Sequence, residues 1–216
     1  MLSEGGAGGT SRLPTLAEPA RRPRHIQATR TTTFGPESPA LLIGLFNSGE
    51  TLDLAGRPEE AIALYRDALA RWPVFELGYA HYAHTMLARA LRHAGRYEDA
   101  LAENREALAL TRRQKEVEEA TAGPLAGQGL DELALGHPRA AVLFLEAALR
   151  VNGDQDDPGD ARFGLAQAWW DSGGGRKQAR DAATRASEEL RERAERYGGR
   201  FRKQKDAVGA WLASHR

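Results

Sequence analysis

Residues 45–73, LFNSGETLDLAGRPEEAIALYRDALARWP, decide the fold of this 216-residue chain. A small residue, Gly49, precedes the turn glycine Gly56 by seven residues, and Ala61 and Ala68 follow that glycine by five and twelve residues. Large apolar residues lie between these positions at helical spacing. The stretch therefore predicts two short helices joined by a tight turn, with small residues where the helices cross.

The same offsets recur three more times along the chain, the last with one extra glycine in the turn. The recurring residues are Ala88, Gly95, Ala100 and Ala107; Gly129, Gly136, Ala141 and Ala148; and Ala166, Gly173, Ala179 and Ala186. A repeat of this length predicts a series of helix pairs that have no closed core singly and gain stability by stacking. The pattern is typical of a binding scaffold and does not disclose the partner.

The predicted organisation has three parts. Residues 1–38 are rich in Gly, Pro, Thr, Ser and Arg without an apolar period, so we expect a disordered leader. Residues 39–197 form the repeat array, and residues 198–216 form a capping helix with one apolar stripe. Within the array, Pro39, Pro58 and Pro138 begin helices, and Asp160 is a predicted N-cap. The predicted helices are 39–55, 58–72, 75–94, 97–114, 121–135, 138–151, 160–172, 176–197 and 200–214.

Composition narrows the class of protein. Alanine and leucine dominate the apolar residues, which favours helices over strands. The chain has no cysteine, no N-terminal pattern of a secretion signal and no apolar run long enough to cross a membrane, so we expect a cytoplasmic protein with no membrane association. Its net charge is zero, but residues 176–216 carry a net charge of +6. Charges of this kind commonly solvate the terminal repeats of an array.

The residues resemble the tetratricopeptide repeat family from about residue 41 to residue 190. The match is clearest in 45–73, where Leu, Gly, Leu, Gly-Arg, Glu-Glu-Ala, Tyr, Ala and Pro stand where the family signature has them. Departures include Asn104 in the place of Tyr65 and Glu132 in the place of Leu52. The resemblance implies an all-α, right-handed superhelical solenoid of about four helix pairs plus a C-terminal capping helix.

This resemblance also implies a function and a site. We expect a non-enzymatic protein–protein interaction scaffold whose concave groove binds a peptide or a partner helix. Its groove would be lined by residues of the first helix of each pair that do not fill the core. These are Phe46, Asn47, Glu50 and Asp53; Tyr82, Met86, Arg89 and His93; Ala126, Gly127 and Leu130; and Phe163, Gln167, Trp170 and Asp171.

The residues leave other functions open. Residues 161–186 are similar to helical tails that follow bacterial Ser/Thr protein kinases, so a regulatory tail or adaptor of such a signalling system is the main alternative. Nucleic-acid binding through the basic stretch 176–202 is less favoured, because aromatic side chains are not interleaved with the charges. Neither the histidines, the acidic loop 152–157 nor the glycine-rich turn 173–177 has the spacing of a metal or phosphate site, so no metal, cofactor or enzyme activity is expected.

Overall fold

A computed structural model describes residues 39–71, 80–114, 118–151, 158–197 and 199–216. Those residues form α-helices joined by turns, with one short 3₁₀ segment at Glu118–Thr121 and no strand. The helices are α1 (Pro39–Leu54), α2 (Pro58–Arg71), α3 (Ala80–His93), α4 (Tyr97–Gln114), α5 (Ala122–Ala134), α6 (Pro138–Arg150), α7 (Pro158–Asp171), α8 (Arg176–Tyr197) and α9 (Gly199–Ser214).

Each of the four helix pairs is closed by the same turn. In the first pair, Gly56 adopts a φ of 74°, and the Arg57 N–H donates to the Leu52 carbonyl at 2.9 Å. This arrangement satisfies carbonyls at the end of a helix and needs a residue in the left-handed region, which favours glycine. The other three turn glycines, Gly95, Gly136 and Gly173, have φ between 76° and 82°. The four turns predicted from the repeat are therefore confirmed.

Small residues let the two helices of a pair approach closely. A Cβ added to Gly49 would lie 2.7 Å from Cε1 of Tyr65, and one added to Gly129 would lie 2.5 Å from Cγ of Leu145. These distances are shorter than carbon atoms tolerate, so the ring of Tyr65 and the side chain of Leu145 occupy the space that glycine leaves open. The predicted role of the small residues is confirmed at both positions.

The pairs stack in chain order, and each second helix packs against the first helix of the next pair. Each first helix also lies closer to the next first helix than the second helices lie to one another. The array therefore curves, with α1, α3, α5 and α7 on its inner wall. Finally, α9 packs along α8 and buries Phe201 and Val208 against α7 and α8.

The predicted helices agree with the described ones to within one or two residues at most ends, and one prediction was wrong. Asp160 is not the N-cap of α7, because this helix begins at Pro158 and places Asp160 in its first turn. There the Asp160 carboxylate accepts a hydrogen bond from Nε2 of Gln204 at 2.6 Å. The leader 1–38, the acidic loop 152–157 and the predicted helix start at 75 lie outside the described residues. The division into leader, array and cap stays a prediction.

The close approach at Gly49 has a measurable consequence. A methyl group at this position would press on the rigid ring of Tyr65, so Gly49→Ala should lower the free energy of unfolding by about 1–3 kcal/mol. Chemical denaturation followed by circular dichroism measures this change.

The matched control is Gly209→Ala in α9. An added Cβ at Gly209 meets nothing within 4 Å among the described residues, and alanine is the better helix former. This control should leave the free energy of unfolding unchanged or raise it by up to about 1 kcal/mol. Equal losses in the two variants would contradict the role assigned to Gly49.

Candidate functional site: the inner wall

The N-terminal end of the inner wall carries exposed apolar side chains. Tyr82 on α3 is 40% exposed, and its ring centroid lies 6.4 Å from that of Phe46 on α1. Ile43 is 59% exposed and stands three residues before Phe46, on the same stripe of α1. We name Ile43, Phe46 and Tyr82 the N-terminal apolar patch. It presents one aliphatic and two aromatic side chains that bridge two adjacent helices.

A charged cluster fixes α1 to α3 beside this patch. Nε of Arg89 donates to Oδ2 of Asp53 at 3.1 Å, and Nδ1 of His93 lies 2.7 Å from Oδ1 of the same carboxylate. Burial alone would raise the pKa of Asp53, but the hydrogen bond and charge of His93, together with Arg89, outweigh it and lower the pKa. Asp53 is thus a buried anion that links the ends of two first helices.

The C-terminal end of the wall is covered by α9. Trp211 contacts Phe163 with ring centroids 6.0 Å apart and Trp170 at 5.6 Å, and the His215 ring stacks on Trp211 at 4.2 Å. Arg176 places its guanidinium 5.2 Å from the Trp170 ring centroid. The two large aromatic residues that α7 contributes to the wall therefore pack against the capping helix.

The residues predicted to line the groove fall into three groups. Asn47, Tyr82, His93 and Asp171 are exposed. Phe46, Glu50, Arg89, Ala126, Leu130, Phe163, Gln167 and Trp170 are partly buried. Asp53, Met86 and Gly127 are buried. Three of the four exposed side chains lie on α1 and α3, because the aromatic residues Phe163 and Trp170 of α7 pack against Trp211 of α9.

A polar cluster lies where the second and third pairs meet. Asn104 on α4 is buried, and its Nδ2 donates to Oδ2 of Asp131 on α5 at 2.8 Å. Nη1 of Arg92 on α3 lies 3.6 Å from Oδ1 of Asp131, and Gln128 is buried beside them on α5. We name Arg92, Asn104, Gln128 and Asp131 the polar junction.

Burial determines the ionisation of Asp131. Its side chain is fully buried, and this burial raises the pKa of Asp131 to about 6, although Arg92 and the hydrogen bond from Asn104 act in the opposite direction. Sequence reasoning identified Asn104 as a departure from the repeat but not its partner. Comparing α5 with the other first helices would have singled out Asp131, because Ala90 and Ala168 stand at the same repeat position.

No group of three or more His, Cys, Asp or Glu residues within the described ranges is arranged to hold a metal ion. His84 instead pairs with Glu103, Nδ1 to Oε2 at 2.7 Å. None of the described helices has the length and apolar character needed to span a membrane.

The geometry is that of a helical-repeat protein. Consistent with this, residues 46–116 and 127–186, more than half of the chain, match the model of the family described as tetratricopeptide repeat. The chain therefore belongs to the tetratricopeptide repeat family. The family resemblance identified from the sequence is confirmed, and so is the all-helical solenoid that it implies.

Solved structures with the same fold have distant sequences. The TPR-like repeats of a candidate kinesin light chain from Podosopora anserina are 17% identical, with 80% of this chain and 84% of that chain covered and a TM-score of 0.57. MamA is 18% identical, with coverage of 79% and 88% and a TM-score of 0.53. The apo form of RapI is 14% identical, with coverage of 88% and 74% and a TM-score of 0.64. These similarities establish the fold alone.

No curated protein matches the chain. Membership of the family supports a general role as a protein–protein interaction scaffold. Tetratricopeptide repeats are generally non-catalytic.

The raised pKa of Asp131 predicts a dependence of stability on pH. The folded state binds this proton more tightly than the unfolded state, in which the pKa is near 3.8. The ionised carboxylate therefore costs stability above about pH 6, and this cost disappears as the pH falls through 6 towards 4.

The test compares the wild type with Asp131→Asn in thermal unfolding at several pH values. Between about pH 7.5 and pH 5, the wild type should gain roughly 1.4 kcal/mol relative to the variant, because asparagine does not titrate. A stability difference that stays constant over this range would contradict the assignment.

Proposed function

We propose that this chain captures an extended peptide or a partner helix on its inner wall, at the end formed by α1 and α3. The observation that carries the proposal is the N-terminal apolar patch, in which Phe46 and Tyr82 meet across adjacent first helices while Tyr82 stays 40% exposed. Aromatic side chains that are rigid and half exposed are frequent anchors of protein interfaces.

The neighbouring polar side chains give the patch an orienting rim. Asn47 is exposed, and the side chains of Glu50 and His93 are 43% and 44% exposed. An amide, a carboxylate and an imidazole can form hydrogen bonds to the backbone or polar side chains of a bound segment. A central apolar anchor with a polar rim is the usual arrangement of a specific interface.

The covered C-terminal end supports the choice of the N-terminal end. At α7, Phe163 and Trp170 are already packed against Trp211 of α9, so a partner there would have to displace the capping helix. At α1 and α3, the side chains of Ile43 and Tyr82 are 59% and 40% exposed. A partner therefore gains more newly buried apolar surface at the N-terminal end.

The test is a peptide-display selection on the full chain, followed by affinity measurement of the enriched peptides. Replacing two exposed members of the patch, Ile43→Ser with Tyr82→Ser, should weaken binding of the enriched peptides by about tenfold or more, equivalent to ~1.4 kcal/mol. The helical content should be retained, because neither side chain belongs to the buried apolar core.

The matched control is Leu143→Ser on α6, a second helix. Leu143 is 70% exposed and lies away from the inner wall, so this variant removes an exposed apolar side chain without changing the patch. Its affinity for the enriched peptides should equal that of the wild type. Peptides that bind the patch variant as well as they bind the wild type would exclude the proposed site.

A further inference from the structure

The three junctions between successive helix pairs differ in chemistry. Equivalent residues at the three junctions are found by counting from the turn glycines. The residue nine positions after a turn glycine lies on the second helix of one pair and faces the next pair. The residues eight and five positions before the following turn glycine lie on the first helix of that next pair and face the preceding pair. At the first junction these residues are Tyr65, Leu87 and Ala90, and at the third they are Leu145, Leu165 and Ala168.

The second junction is polar at all three positions. Its equivalent residues are Asn104, Gln128 and Asp131, and each is buried. Side-chain contacts with two equivalent glycines support this register. Asn104 lies against Gly127 of α5, as Leu145 lies against Gly164 of α7. Polar residues have therefore replaced apolar ones at a site whose geometry is otherwise that of the other junctions.

The polar groups at this junction are only partly satisfied. Nδ2 of Asn104 donates to Oδ2 of Asp131, but Oδ1 of Asn104, Oδ1 of Asp131 and Nε2 of Gln128 are buried without a hydrogen-bond partner in the described part of the chain. The contact of Asp131 Oδ1 with Arg92 is a longer ion pair at 3.6 Å. Buried polar groups that lack partners weaken an interface relative to apolar residues of similar size.

The apolar core is interrupted at the same place. The described clusters of buried apolar residues lie either within α1 to α4 or within α5 to α9, and none of them joins α4 to α5. The two stretches that match the family model, 46–116 and 127–186, also end and begin here. In an array whose stability is a sum of repeats and of interfaces between neighbours, the weakest interface is where the array bends or opens.

We propose that the polar junction is a hinge, about which the half formed by α1 to α4 moves relative to the half formed by α5 to α9. The motion changes the angle between α3 and α5 and so changes the width of the inner wall at its middle. The first and third junctions stay rigid because Tyr65 and Leu145 fill them with apolar contacts. This inference does not depend on the function proposed above.

The test measures distances between spin labels across each junction of the full chain. The chain has no native cysteine, so labelled cysteines can be introduced in pairs. Four exposed positions at the start of the second helices are equivalent in the repeat, once the extra glycine of the last turn is allowed for. They are Glu59, Glu98, Arg139 and Lys177.

Three pairs of labels then report on the three junctions with matched geometry. The pair at Glu98→Cys and Arg139→Cys spans the hinge, whereas Glu59→Cys with Glu98→Cys and Arg139→Cys with Lys177→Cys span the other two junctions. The distance distribution across the hinge should be broader than either of the other two. Equal widths at all three junctions in the wild-type background would overturn the proposal, whatever any variant does.

A second arm replaces the polar residues by those of the third junction. Asn104→Leu, Gln128→Leu and Asp131→Ala together should narrow the distribution across the hinge to the width found at the other junctions. The two control distributions should not change. A hinge distribution that stays broad in a folded triple variant would show that the polar residues are not its cause.

Discussion

The structure depends on the close crossing of the two helices in each pair. Gly49 and Gly129 leave room for the ring of Tyr65 and the side chain of Leu145, and a glycine with positive φ closes the turn that follows. Without the small residue, the large side chain cannot enter the gap between the helices. Without the turn glycine, the second helix cannot fold back at the right angle. A single pair has no closed core of its own, so its stability depends on packing against the next pair.

Because of this dependence, the residues at the junctions between pairs determine how stable and how rigid the array is. Two junctions are filled by aromatic and aliphatic side chains, and the first is reinforced near its inner wall by the bond of Asp53 to Arg89 and His93. The second junction holds Asn104 and Asp131 instead. A buried carboxylate with a single hydrogen bond stabilises an interface less than packed leucines do. The array therefore contains two strongly packed junctions and one weaker junction.

Much of the fold could be predicted because its signals are local. A turn glycine with alanines at fixed offsets specifies a helix pair within about 35 residues, which is why the ends of α1, α4 and α6 agree with the prediction. Contacts between pairs carry no such signal. Asp131, the hydrogen-bond partner of Asn104, is 27 residues away in the sequence. The packing of Trp170 against Trp211 depends on the angle between α9 and α7. The sequence therefore predicted which positions belong to the inner wall, but it did not predict how exposed their side chains are.

The most direct test of the account is native-state hydrogen exchange on Gly136→Val. This substitution strains only the turn of the third pair, because Gly136 has a φ of 82° and an added Cβ there meets nothing within 4 Å among the described residues. If stability comes from stacking, the amides of α7 should lose protection together with those of α5 and α6, although the altered residue lies in the turn between α5 and α6 and not in α7. Loss of protection that is confined to α5 and α6 would contradict the account.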